Sequence, residues 1–260
     1  MRHGKQAKKL AVPILWKKTE NFILLVVLML IWQLTEVLGL VNRVILPSPA
    51  NILSRCGELL QSGILMDNVV VSMMRVLQGY CLASALAILL GLFIGLSPHC
   101  RRLTDIIVQI LKPIPPIAWI PLVILWFGIG EQSKVFLIFI GGFFTILTNV
   151  VDGIRRTDPK LVEIAQVFET THWKFISKVV LPSAMPSIFT GLRVGLGQCW
   201  MCVVAAELVA SATGLGYMIM NARQFGQTDV VIIGMLTIGI LGKLMNGVLQ
   251  VIERRMIDWI

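Results

Sequence analysis

Val76-Leu-Gln-Gly-Tyr-Cys-Leu-Ala-Ser-Ala-Leu-Ala-Ile-Leu-Leu-Gly-Leu-Phe-Ile-Gly-Leu-Ser-Pro98 runs for 23 positions without a charged residue. As a helix it would rise ~35 Å, more than the ~30 Å hydrocarbon core of a bilayer. Read outward, the span covers residues 70–96, and five comparable segments flank it. They are residues 21–41 (interrupted by Glu36), 103–130, 135–151, 187–210 around Arg193, and 230–252 around Lys243. The third, 103–130, is broken by Lys112-Pro-Ile-Pro-Pro116 and again by Pro121. Over 260 residues the chain is 56% hydrophobic and only 14% charged, with a mean hydropathy of +0.82. A soluble globule carries about 25% charged residues, and a disordered chain far less apolar content. The expected fold is therefore all-α and integral to the membrane, with six transmembrane helices.

Orientation follows from where the Lys and Arg residues sit. Sixteen fall on one side: Arg2, Lys5, Lys8, Lys9, Lys17, Lys18, Arg101, Arg102, Lys112, Arg155, Arg156, Lys160, Lys174, Lys178, Arg254 and Arg255. Five fall on the other: Arg43, Arg55, Arg75, Lys134 and Arg223. The positive-inside rule then places both termini in the cytoplasm. The net charge of +9 is thus accounted for by topology, and no nucleic-acid partner is implied. Residues 1–20 read as a basic cytoplasmic N-terminal segment and 21–260 as the transmembrane domain. The first span is long and lacks a small-residue cleavage site after it, so it is not read as a signal peptide.

Two connections carry pattern of their own. On the outer side, Ser48-Pro49 offers a cap followed by proline at the first helical position. Ile52, Cys56, Leu59 and Leu60 then recur at helical spacing, which predicts a surface helix over 49–61. On the inner side, residues 154–186 form the longest connection. Asp158-Pro159 starts a short helix with Leu161, Ile164, Ala165 and Phe168 on one face. Thr171 caps a second helix carrying Trp173, Phe175, Ile176 and Val179, which Leu181-Pro182 is expected to stop. Such an apolar hairpin must pack on its own bundle or enter a partner.

No catalytic motif is present. Gly242-Lys243 lacks the upstream glycine and following Ser/Thr of a phosphate-binding loop, so the chain is not expected to hydrolyse ATP. His3, His99 and His172 are scattered, and no nucleophile elbow or metal motif occurs. Cys56, Cys81, Cys100, Cys199 and Cys202 form no disulfide framework, and the Cys199–Cys202 pair reads as small packing residues within an apolar helix. The charges within spans, Glu36, Lys112, Arg193, Glu207 and Lys243, are costly unless paired or wet. Lys112 with Pro116 at the broken third span, and Trp200 and Glu207 in the fifth, are candidate pathway or gating positions. Gly91-x-x-x-Gly95 and Gly191-x-x-x-Gly195, with Gly197, permit close helix approach.

Glu163-Ile-Ala-Gln-Val-Phe-Glu169-Thr-Thr, followed by Trp173-Lys-Phe-Ile-Ser-Lys-Val-Val-Leu181-Pro182, resembles the EAA loop of binding-protein-dependent ABC importer permeases. The likeness continues through Ser183-Ala-Met-Pro-Ser-Ile-Phe-Thr-Gly-Leu-Arg193 and Ala206-Glu207. It also takes in Leu46-Pro-Ser-Pro49, Ser72-Met-Met-Arg-Val-Leu-Gln-Gly79, Ala118-Trp-Ile-Pro-Leu122, Trp126-Phe-Gly-Ile-Gly-Glu131 and Glu253-Arg-Arg255. Together these are similar to the nitrate/sulfonate/taurine branch over nearly the whole chain after residue 21.

The resemblance implies a type I importer permease fold in the bacterial cytoplasmic membrane, and alternating access as the mode of action. It implies two cytoplasmic ATPase subunits that hold ATP and Mg, a second permease copy, and an external solute-binding protein. The coupling set it implies is Glu163, Ile164, Ala165, Phe168, Glu169, Thr170, Leu181 and Pro182. The implied solute is a small anion such as a sulfonate, taurine, nitrate or bicarbonate. Ile164 stands where the pattern has Ala, and Glu169 where it has the turn glycine; a non-glycine residue at positive φ costs roughly 1 kcal/mol. Glu169 is expected to meet a basic residue on a co-adapted ATPase, and Thr145, in place of a frequent Pro, to leave the fourth helix straighter. The alternative is a self-sufficient carrier or channel, which calls for repeated halves with paired midplane charges. A scaffold or receptor would need no broken third span.

Overall fold

The structure, a computed structural model, describes residues 45–168 and 170–257, with scattered positions between 23 and 42 before them. Every regular element among the described residues is helical. The first expected span and Glu36 fall largely or wholly outside those residues. Residues 30–35 are helical, and Trp32 packs against the core.

The outer surface helix forms where expected, as α1, Pro49–Gln61. The Ser48 side chain accepts the Asn51 N–H at 3.3 Å, and Ile52 and Leu59 turn into the core. Leu60, assigned to the same face, is exposed instead. Gly63 (φ +77°) then reverses the chain into α2, Ile64–Leu96, which starts six residues before its apolar run. Ser97 caps α3, Pro98–Leu111. The Lys112–Pro116 break follows, then a 3₁₀ turn at Pro116–Trp119 and α4, Ile120–Phe127. The two halves of this third segment meet at 88°. Proline both removes N–H donors and excludes α-conformation from the residue before it, so the break is local chemistry.

Three long helices complete the bundle: α5, Glu131–Arg155; a composite ending in α8, Leu181–Ala210; and α10, Thr228–Met256. Between α5 and α8 lie α6, Pro159–Val167, and α7, His172–Phe175. Here the expectation that Leu181-Pro182 ends the second loop helix is corrected. The chain passes through a π-turn at Ile176–Val180 straight into α8, giving one apolar helix over Trp173–Ala210. The Leu181 N–H reaches back five residues to Ile176. That wider turn loosens the ladder just before Pro182, whose ring and missing N–H would otherwise interrupt it. A last short helix, α9, Leu215–Gln224, lies between α8 and α10.

Helix α5 is the centre of the bundle, packed between α2 and α8, and it runs unbroken through Thr145. Glycines set its approach to both. A Cβ on Gly91 would meet Val150, one on Gly95 would meet Ile154, and one on Gly195 would lie 2.6 Å from Ile146 Cγ1. The two glycine-spaced pairs are therefore seams inside the chain, each facing α5. Further along α8, Cys199 and Cys202 fill the same α5–α8 seam, against Gly142 and Gly141 of α5. Gly195→Val should cost about 1–3 kcal/mol by overpacking, read as a lowered unfolding midpoint in detergent. Gly197→Ala, with no atom within 4 Å of the added carbon, should hold the midpoint or raise it slightly, since alanine is the better helix former.

Among the described residues, four helices are long and apolar enough to cross a membrane, and five spans result if the bent pair counts as one. The least covered is α10, with 17% of its apolar window buried against 44% for α5 and α8. One of its faces is left for lipid or another chain.

Candidate functional site

Antiparallel succession puts Leu96, Arg155, the start of α8 and Met256 at one end of the bundle, called here the loop end. Glu131, Ala210 and Thr228 lie at the other.

At the end away from the loop, four charges meet. Arg75 on α2 donates from Nε and Nη2 to both oxygens of Glu131, at 2.6 Å each, and from Nη1 to Glu207 Oε1 at 2.8 Å. It also bonds the Thr213 carbonyl at 2.8 Å and hydroxyl at 3.1 Å. Lys134 donates to Glu131 Oε1 at 2.8 Å. Arg75 is 3% and Glu207 1% exposed, so neither could stay charged without these partners. Glu207 is satisfied further by the Ser72 hydroxyl, at 2.8 and 2.9 Å, and by the Gly216 N–H at 2.8 Å.

The same cluster fixes a turn. Gly214 takes φ +107°, and any Cβ there would overlap the Glu207 carboxylate. Glycine is required on both counts. The Gly214 N–H donates to Asn68 Oδ1 at 2.7 Å and the Leu215 N–H to Ser72 Oγ at 2.8 Å. With Gly216, these are N–H groups at the start of α9 that the helix itself cannot satisfy, and of them the Gly216 N–H bonds the Glu207 carboxylate directly. The arrangement ties α2, α5, α8 and α9 together at one end.

At the loop end, Asp158 accepts the Lys160 N–H at 2.9 Å, starting α6 where the sequence places it. Its end is closed by Thr170, whose N–H and hydroxyl both reach the Ala165 carbonyl, at 3.1 and 2.8 Å. Both bonds satisfy one of the last carbonyls of α6, which the helix itself leaves without a donor. Ala165 is buried, whereas Phe168 and Trp173 are 75% and 78% exposed and Val167 stands out beside them. The expected single apolar face is thus divided: Ala165 packs inward, and the largest side chains point away from the bundle. Glu163 and Thr170 are exposed, and Leu181 and Pro182 lie in the first turn of α8. Ile164 is on α6 with its side chain outside the described residues, as is Glu169 altogether.

The four pathway candidates are not brought together. Glu207 belongs to the far-end cluster. Lys112 ends α3, donates to Thr148 Oγ1 at 3.3 Å, and lines a cavity of about 180 Å³ with Asp105, Asp152 and Arg155. Pro116 opens the 3₁₀ turn. Trp200 is buried on α8 and borders a cavity of about 620 Å³ between α8 and α10. Among the other intramembrane charges, Arg193 pairs with Glu253 at 2.9 Å, while Lys243 lines the Trp200 cavity.

Sequence reasoning passed over Arg75 as a partner, counting it only for topology. The available signal was that Arg75, Glu131 and Glu207 sit at the same predicted end of three spans. Pairing them needed knowledge of which helices adjoin.

Residues 87–258 match the family described as binding-protein-dependent transport system inner membrane component. The chain is 40% identical over 244 residues to a putative aliphatic sulfonates transport permease protein, SsuC, of Bacillus subtilis, covering 94% of this chain and 88% of that one. It is 34% identical over 240 residues to the taurine transport system permease protein TauC of Escherichia coli, covering 90% and 87%. Among solved structures, an inward-facing MetNI methionine ABC transporter chain superposes with a TM-score of 0.63 at 19% identity, covering 74% of this chain and 96% of that one. That likeness is one of fold.

Proposed function

Since the chain belongs to the binding-protein-dependent transport system inner membrane components, we propose that it forms the membrane pathway of an ATP-driven importer for small sulfonate-type anions. Two copies would enclose the pathway in the cytoplasmic membrane of a bacterium, both termini inside. Two ATPase subunits would hold ATP and Mg on the cytoplasmic face, and an external binding protein would deliver the solute. The relatives' transport of aliphatic sulfonates and taurine supports the solute class.

The observation that carries the reading is the exposed trio Val167, Phe168 and Trp173 at the loop end. In water such side chains call for a partner groove. A partner that closes on ATP would push α6 and α7, and the π-turn joins α7 to α8 with no hinge loop between. Movement of the loop would pass directly into a pathway helix, switching the bundle between inward- and outward-facing states. Purification of the chain from its native membrane should bring an ATPase with it, and that ATPase should respond to the external binding protein. A chain that purifies alone and still moves solute would overturn the reading in favour of a self-sufficient carrier.

A further inference from the structure

Gly239, Lys243, Gly247, Gln250 and Arg254 follow one another along α10 at intervals of four, four, three and four residues. At about 100° per residue all five fall within an arc of about 80°. They form one stripe without a large apolar side chain. Lys243 and Arg254 are exposed, and Gln250 borders the groove between α8 and α10. A Cβ on Gly239 or Gly247 would meet no atom within 4 Å, and Gly197, across the groove on α8, is bare in the same way. The seam glycines Gly91, Gly95 and Gly195 are explained by packing on α5. These three glycines pack on nothing in the chain, although glycine is a poorer helix former than alanine.

Lys243 decides what the stripe faces. It is the sixteenth of the 29 residues of α10, ~22 Å along the helix from its outer start, and so near the middle of a ~30 Å hydrocarbon core. It borders two open grooves, one shared with α8 and one along α10 over Leu244 and Val248, and neither has a carboxylate among its lining residues. An unpaired ammonium at that depth is costly in lipid, and such groups face water or a partner inside a bundle. Dry contact with the same stripe of a second copy would press two unpaired ammonium groups together, which like-charge repulsion forbids. What remains is water, with a second copy on its far side.

Building on the importer reading, we propose that this stripe is one wall of the water-filled pathway, that the same stripe of a second copy is the facing wall, and that Lys243 is the residue that selects anions. The pathway is incomplete in a single chain. Each copy contributes one ammonium near the bilayer middle and Arg254 at the loop end, whereas Arg193 is neutralised by Glu253. Two ammonium groups across water favour a sulfonate over a cation of the same size without clasping it, so the solute passes on.

The test is thiol modification of the complex purified in lipid nanodiscs, with Cys56, Cys81 and Cys100 replaced by alanine and the buried Cys199 and Cys202 kept as an unreactive baseline. Gly247→Cys and Gly239→Cys each place a reporter one turn from Lys243. The probes are two membrane-impermeant methanethiosulfonates, one bearing an ethylsulfonate group and one an ethyltrimethylammonium group. Both reporters should react, the sulfonate reagent faster, and Val248→Cys, exposed but off the stripe, should not. Adding Lys243→Gln should lower the anion-to-cation rate ratio about tenfold, because one charge ~6 Å away acts with opposite sign on the two reagents. Lys243→Arg, which keeps the charge, should hold the ratio within about threefold. No reaction at either reporter, equal reaction at Val248→Cys, or an unchanged ratio in Lys243→Gln would each overturn the proposal. So would a disulfide between copies at Gly247→Cys without reagent access, which marks a dry seam. The importer reading is judged separately, by ATPase co-purification and taurine uptake. Uptake with both reporters inert removes the stripe and leaves the reading standing.

Discussion

Arg75→Ala is expected to be among the most damaging single changes in the chain, costing about 3–5 kcal/mol of stability. It removes the guanidinium that bonds Glu207, Glu131 and Thr213 at once. The loss is dominated by Glu207, which is left as an unpaired buried carboxylate with only Ser72 and the Gly216 N–H. The bond to Glu131 contributes less, because that side chain is largely exposed and screened. Denaturant titration in mixed micelles measures the cost. The double variant Arg75→Ala, Glu207→Ala should recover part of it, giving a coupling of about 1–3 kcal/mol. A cost below about 1 kcal/mol for the single change would show that water or ions replace the guanidinium. Because four helices converge on this pair, its loss should also loosen the turn at Gly214 and speed hydrogen exchange at Leu215 and Gly216.

Trp173→Asp carries the second large effect, and it falls on assembly. Trp173 touches little of its own bundle, so the unfolding midpoint of the isolated chain should stay where it is. An aromatic anchor seated in a partner groove is worth about 2–4 kcal/mol, which is about 30- to 1,000-fold in affinity. The ATPase should therefore be lost from the purified complex, or bind that much more weakly when titrated back. Phe168→Asp should behave alike. Ala165→Asp differs, since it places a charge in a buried position and should lower the midpoint as well. An ATPase that still binds both surface variants within about threefold would remove the loop from the docking surface.

The two expectations were legible in the sequence to different degrees. The loop was readable because it is written locally: Asp158-Pro159 begins α6 through bonds spanning two or three residues, and Trp173 is a large apolar group on a polar stretch. The division of its apolar face was not readable. Ala165 turns inward and Phe168 outward because of where α6 sits on the bundle, which periodicity does not encode. The continuation of α7 into α8 was misread for a related reason. Proline is a local stop signal, but a π-turn five residues long absorbs it when packing rewards a continuous helix.

Composition and spacing by themselves determined the membrane class, the surface helix at 49–61 and the proline-broken third segment, because each follows from hydropathy, capping or proline chemistry within about ten residues. The same local rules kept Arg75, Glu131 and Glu207 apart, as three isolated charges 56 and 132 positions from Arg75. Only the tertiary structure decided that they are one cluster, that the glycine pairs face α5, and that Lys243 and Trp200 border one groove between α8 and α10. A charge in a low-dielectric interior is defined by its nearest partners, and those partners are set by which helices touch.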